Sequence, residues 1–413
     1  MLLALFVLAQ AQPDPELQKE LEKAIQADQQ AAQQKQQQQR QEQPAPPPRG
    51  SQSLNPDISA ILDADFGYYR RAPRYLNGDD PNLHADSAHA LGFTAQEVEL
   101  AFSAIVDPYF RGDVFLTIPN LEGLEVEEAF ATTTSLPWNL QVKAGSFRSA
   151  FGRQNGQHLH VQDFTRRPLI NAAFLGDDGL RGPGAQVSWL APLPFYLTLY
   201  AEAFSLSNDP AAFGEPVPPP VPTFGSDGPR RPTATAEAKV FLPMSEAWSF
   251  YGGLSFASGQ SPGLFVAQNA VLGAGRDSQL FGADAYFKWK PPNVAQSYGS
   301  LAIQAEWILR HLSAGDGFGD EWDGGAYAQV VALFSRRWFL GLRGDYVGLP
   351  TSSITPATAR GAVSLTFQGS EFMRIRAYAE MEKGDPAHVQ PDWAPAAFLQ
   401  LEISIGAHGA HPF

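Results

Sequence analysis

The chain has no cysteine. Disulfides and thiolate metal sites are therefore excluded, although that alone does not fix the compartment. Charge is scarce as well. Charged residues make up 17% of the chain, against about 25% in an ordinary soluble domain. Hydrophobic residues reach only 44%, so a larger core does not replace the missing charge. Strands with a single apolar face fit that balance. No apolar run of about 18 residues occurs, which excludes helical membrane spans. There is no positive excess either. A net charge of −14 argues against a nucleic-acid partner, which would want a basic surface. HExxH, the metal-dependent hydrolase signature, is absent. The sequence calls for no enzyme activity and no cofactor.

What is present starts with an apolar terminus. Residues 1–11 (MLLALFVLAQA) end in Ala9-Gln10-Ala11. That small-x-small form suits an export cleavage site, so a signal peptide is expected, truncated because its basic region is missing. Residues 12–43 are glutamine-rich, with Leu17, Leu21, Ala24 and Ile25 on one helical stripe that Asp28 breaks. Two readings stay open, a short coiled coil and a solvated tail. Residues 44–54 open on PAPPPR, a stiff polyproline spacer.

Residues 55–413 repeat one pattern: about ten residues of period-2 alternation, then a turn. That is the signature of a transmembrane β-barrel, whose strands meet lipid on one face and water on the other. The first eight segments are Ile58–Tyr69, Phe93–Val106, Phe110–Ile118, Leu124–Thr134, Leu140–Phe147, Ala185–Ala191, Phe195–Ser205 and Thr233–Leu242. The next eight are Trp248–Ala257, Leu280–Lys290, Ser300–His311, Gly325–Phe334, Trp338–Val347, Ala357–Phe367, Phe372–Met381 and Ala396–Gly406. The fold class is thus all-β, a 16-stranded antiparallel barrel with an N-terminal Gln-rich tail. Connections after even segments are mostly short and those after odd segments mostly long, the asymmetry of periplasmic turns and outer loops. Pro119–Gly123 is short where a long loop is expected. Tyr68, Tyr69, Trp138, Trp189, Trp248, Trp289 and Trp338 fall near strand ends, as interfacial girdles require. Phe413 shares the parity of Leu399, Leu401, Ile403 and Ile405.

Three stretches carry a family resemblance: QEVELAFSAIVDPYFRGDVFLTI (Gln96–Ile118), EVEEAF (Glu125–Phe130) and GSFRSAFGRQN (Gly145–Asn155). They resemble a bacterial outer-membrane porin-like family, distantly similar to the phosphate-selective porins. Its members are often labelled zinc-regulated TonB-dependent outer-membrane receptors. The resemblance implies a sixteen-stranded barrel, a third outer loop folded into the lumen, and homotrimers. A TonB-dependent receptor would also need a plug, and the Gln- and Pro-rich stretch before the barrel has too little apolar surface to form one.

The third outer loop lies within Phe147–Gly184, the longest break in the alternation. Phe151, Leu159, Phe164, Leu169, Ile170, Phe174 and Leu175 are its candidates for packing onto the wall. Arg148, Arg153, Arg166 and Arg167 would then stand in the lumen as a constriction. Arginine suits phosphate or carboxylate because its planar fork donates two parallel hydrogen bonds. Inward parity adds Lys143, Arg111, Glu97 and Glu99 from the early strands, and Arg343, Arg360, Arg374 and Arg376 from the late ones. The early strands are mainly acidic and the late ones mainly basic, so two opposed walls with a field between them are expected. Mutual salt bridges that merely brace the lumen are the competing reading. His158 and His160, with His84 and His89, offer a weaker zinc site. The expected function is passive diffusion of small hydrophilic solutes, phosphate-like anions among them, across the bacterial outer membrane. A zinc-uptake receptor and a structural or adhesive barrel are the alternatives. The expected partners are outer-membrane lipid, the solute and two further copies of the chain.

Overall fold

The computed structural model describes residues 56–69, 90–119, 121, 123–176, 179–206, 223–225, 231–262, 264–266, 270–272, 275–292, 299–315, 317–350, 355–384 and 393–406. The chain divides into two units, Met1–Ser53 and Leu54–Phe413. The first lies wholly outside the described residues, and with it the expected signal peptide, helical stripe and polyproline spacer. His84, His89 and Phe413 also fall outside them.

The second unit is a closed antiparallel barrel of sixteen strands. The strands are β1 (Asp57–Tyr69), β2 (Ala90–Ile105), β3 (Phe110–Pro119), β4 (Glu125–Thr133), β5 (Leu140–Arg148), β6 (Arg181–Leu190), β7 (Tyr196–Phe204), β8 (Thr233–Pro243) and β9 (Trp248–Gln260). A two-stranded hairpin follows, β10 (Leu264–Val266) and β11 (Ala270–Leu272), outside the barrel sheet. The barrel resumes with β12 (Asp277–Trp289), β13 (Ser300–Leu312), β14 (Glu321–Ser335), β15 (Trp338–Pro350), β16 (Thr358–Ser370), β17 (Met373–Gly384) and β18 (Ala394–Gly406). Each strand pairs with its chain neighbour in the sheet, and β18 returns to β1, so no edge is left unpaired.

All sixteen expected segments are strands. Several begin earlier than alternation alone suggested. β6 starts at Arg181 because Gly182 and Pro183 still pair with Phe147 and Ser146 across the ladder. β14 starts at Glu321, its Gly324 and Gly325 running on in register with β13 despite weak strand propensity. The connection after β3 is short where the alternation of loop lengths called for a long one, and β3 leads directly to β4.

The alternation sorts as a lipid-facing barrel should. Ile58, Leu62, Phe66 and Tyr68 of β1 are exposed outward, while Asp63 and Asp65 are buried inward. Leu399, Leu401 and Ile405 of β18 are likewise exposed outward. Trp138, Trp189, Trp248 and Trp338 are exposed near the short-turn end. Aromatic rings pair across neighbouring strands there, as with Trp338 and Phe367 at 5.0 Å between centroids. One bulge matters for the site. Phe115 pairs with Glu128 but Leu116 pairs with Val126, so Glu127 is an extra residue in β4. That places Glu127 and Glu128 in succession among the buried inward groups.

Candidate functional site

The chain between β5 and β6 runs inside the barrel. Most residues from Ser149 to Leu175 are buried, Gly156 and Asp163 being exposed, and the segment's partners come from around the circumference. Asn155 closes the base. Its amide donates to the carbonyls of Ser149 (2.8 Å) and Leu180 (3.0 Å), and the Leu180 N–H donates back to its oxygen (2.7 Å). Gly152 turns the chain inward with φ +66°, a conformation that favours glycine. Its N–H donates to Ser255 of β9 (3.0 Å). The next two N–H groups, of Arg153 and Gln154, donate to Glu306 of β13 (2.9 and 2.6 Å).

The segment then crosses to the other side. His158 meets Glu99 of β2 and Glu127 of β4. Arg376 of β17 donates to the Gln162 carbonyl (2.6 Å), and Thr165 bonds Gln400 of β18 (3.3 Å). Arg166 pairs with Glu380 of β17. Arg343 of β15 donates to the Arg166 carbonyl (2.8 Å), and Arg360 of β16 to that of Arg167. A single short helix follows, α1 (Leu169–Leu175), all of whose residues are buried. The Asp345 carboxylate accepts the Leu169 N–H at its first turn (3.0 Å), where an anion is favoured.

An apolar helix inside a polar lumen needs an apolar bed. Inward-facing Ala257, Leu280, Ile308, Tyr327 and Val347 supply it. Three inward glycines act as sockets. A Cβ on Gly282 would lie 2.8 Å from the Phe151 ring, one on Gly325 2.9 Å from Ile170, and one on Gly341 3.0 Å from the Phe164 ring. The seven apolar residues expected to pack this segment onto the wall are all buried.

The expected constriction residues fall into two groups. Arg148, Arg166, Arg167, Arg343, Arg360 and Arg376 are buried in the lumen. Arg148 pairs with Glu127, Arg166 with Glu380, and Arg343 with Asp345 (2.9 Å). Arg360 lies between Asp345 and Glu380, 3.6 Å from each. Arg376 reaches Gln400 (2.7 Å). Gly179 (φ +80°) leaves room for the Arg167 and Arg148 guanidiniums, since a Cβ there would lie 3.1 and 3.3 Å from them. Arg374 pairs with Glu402 and donates to the His160 carbonyl. These groups brace the segment against the wall. Lys143, Arg153 and Arg111 keep partly open surface. Arg111 pairs with Asp113 (2.8 Å). Lys143 stands over the Phe130 ring at 4.6 Å, and Arg153 over Tyr286 at 3.9 Å.

Parity also marks inward residues that were not chosen as candidates. Lys239 of β8 and Lys288 of β12 are inward and partly exposed, with Tyr200, Tyr251 and Tyr286. Lys239 holds Glu237 (3.2 Å) and the Gly152 carbonyl (2.9 Å). Their signal was the same alternation that picked out Lys143. Glu128 gave no such signal, because only the bulge turns it inward.

The two charged sectors do not stand opposite one another. The barrel closes through β1 and β18, which sets the acidic β1–β4 sector beside the basic β15–β17 sector. Across this seam Gln400 donates to Asp63 (2.6 Å). The acidic sector meets the two histidines. Burial lowers the His158 imidazole, but the Glu127 and Glu99 carboxylates beside it outweigh that and hold it well above the ordinary histidine range.

No family model matches the chain. A protein of Aquifex aeolicus (strain VF5), itself uncharacterised, is 33% identical over 398 residues, covering 89% of this chain and 81% of that one. The chain belongs to that protein's family. Solved structures extend the likeness to the fold. The anion-selective porin from Comamonas acidovorans superposes with a TM-score of 0.56 at 10% identity, covering 85% of this chain and 99% of that one. The outer-membrane channel DcaP of Acinetobacter baumannii gives 0.56 at 13% identity, covering 85% and 97%. OprB of Pseudomonas putida gives 0.53 at 10% identity, covering 85% and 94%. The family member described here has the β-barrel fold of these porins.

Proposed function

We propose that the barrel is a passive diffusion channel for small hydrophilic solutes, with a preference for anions, narrowed by residues 149–180. One observation carries the reading. The inward groups that keep open surface are mainly cations: Lys143, Arg153, Lys239, Lys288 and Arg111. They lie on β3, β5, β8, β12 and the inserted segment, whereas α1 packs on β13, β14 and β15. The aqueous path therefore runs along the β5–β12 side, between the segment and a wall of lysines and tyrosines. Buried arginines elsewhere hold the constriction in place. A ring of cations at close quarters attracts anions and repels cations. Lysine and arginine over tyrosine faces also suit solutes that combine an anionic group with an apolar body.

The test is planar-bilayer conductance with a potassium chloride gradient. The expected result is an open channel whose reversal potential lies toward the chloride equilibrium value, with phosphate reducing the chloride current. A cation-selective pore would overturn the anion preference, and a barrel without conductance would overturn the channel itself. We further propose that three copies assemble. An outer-membrane protein of Vibrio cholerae with the same fold is described in a trimer form, with a TM-score of 0.55 at 10% identity.

A further inference from the structure

We propose that His158 and His160, together with Glu99 and Glu127, form a divalent-cation site that pins the inserted segment to the acidic wall. The donors come from three separate pieces of chain. β2 supplies Glu97 and Glu99, two residues apart on one face. The bulge in β4 supplies Glu127 and Glu128. The inserted segment supplies the two imidazoles, one on each side of Leu159. The ligand atoms of Glu99, His158 and His160 all lie within 4.8 Å of one another, and so do those of Glu97, Glu99 and Glu127. Glu99 belongs to both triplets, so the two make one cluster.

The separations suit an ion. His158 Nδ1 is 3.0 Å from Glu99 Oε2 and 3.1 Å from Glu127 Oε2, and His160 Nδ1 is 3.2 Å from the same Glu99 oxygen. A tetrahedral site with bonds of about 2.0–2.1 Å has ligand edges of about 3.3 Å. Small side-chain rotations would therefore open the cluster around a metal. Simple ion pairing is the competing arrangement: His158 Nδ1 faces Glu99 and Glu127, and its Nε2 lies 3.6 Å from Glu128 Oε2. A metal would take the place of the ring protons that point at Glu99.

Charge points the same way. Glu97, Glu99, Glu127 and Glu128 are all buried, and the Arg148 guanidinium pairs with Glu127. Buried carboxylates in such number are costly unless cations offset them. The donor set selects the ion class. Imidazole with carboxylate suits first-row divalent transition ions such as zinc, whereas calcium and magnesium take oxygen ligands alone. A bound ion would tie the segment to β2 and β4 and so resist its displacement from the lumen.

The experiment uses the full-length barrel in detergent, stripped with chelator and titrated with zinc chloride, with calcium chloride alongside. Calorimetry and thermal unfolding are read together. The expected result is one zinc per chain at micromolar concentration, a raised unfolding temperature, and no response to calcium. His158→Gln with His160→Gln should weaken zinc binding roughly tenfold or more. His311→Gln, at a histidine outside the cluster, should leave it unchanged. Should the double variant not form a heat-modifiable barrel, His160→Gln alone is read for the same loss. Absence of zinc binding by the wild-type chain, or undiminished binding by the variants, overturns the site. Neither readout uses current, so a non-conducting barrel would leave the site standing. A zinc-blind conducting barrel would leave the channel standing.

Discussion

Arg166 and Glu380 form a fully buried ion pair, and such pairs decide whether the inserted segment stays docked. Removing one partner strands a charge in the interior, at a cost of about 3–5 kcal/mol. Arg166→Met should therefore loosen the segment without unfolding the strands. Limited proteolysis should cut it within residues 149–180, where the wild type resists. The lumen cations act differently. Lys288 is only partly buried, so Lys288→Glu should leave stability nearly unchanged. It should shift the reversal potential toward the potassium value, and Lys143→Glu should do the same. Strand parity alone showed that Lys143 and Lys288 face inward. It could not show which arginines are consumed by partners, because Arg166 and Glu380 lie 214 residues apart.

The element that fills the barrel interior, and that would set the proposed pore, is the segment between β5 and β6. Its apolar residues were legible as packing groups, since a long loop carrying Phe151, Phe164, Leu169 and Phe174 must bury them somewhere. The sockets were not legible. Gly325 and Gly341 look like weak points in strands, yet each leaves the space its partner ring or side chain fills. Gly282→Val, whose nearest neighbour is the Phe151 ring, should push the inserted segment off the wall, and single-channel conductance should rise or become noisy. Replacing Gln154–Leu180 by a short linker should raise conductance further. An unchanged value in both variants would mean that the segment does not limit the path.

At the scale of the whole molecule, the closed barrel fixes where charge accumulates. The proposed preference for anions should fade with salt, because the screening length falls from about 10 Å at 0.1 M to about 3 Å at 1 M. Permeability ratios measured across that range should converge toward unity. A ratio independent of salt would point to a dehydrated contact site instead. The proposed trimer predicts a mass near three chains in light scattering after gentle detergent extraction. The expected opposition of acidic and basic walls failed at this scale. Strands far apart in sequence became neighbours once β18 closed on β1.

The sequence by itself determined the strands and their two faces. Every barrel strand must alternate between lipid and water, and that constraint is local. It also determined that a long, arginine- and phenylalanine-bearing segment follows β5. Only the tertiary structure decided what that segment touches. The bulge that turns Glu128 inward, the glycines that receive Phe164 and Ile170, and the meeting of His158 with Glu99 all depend on contacts between distant parts of the chain. Such contacts leave no period in the sequence. They follow from closure of the barrel and from filling the space inside it.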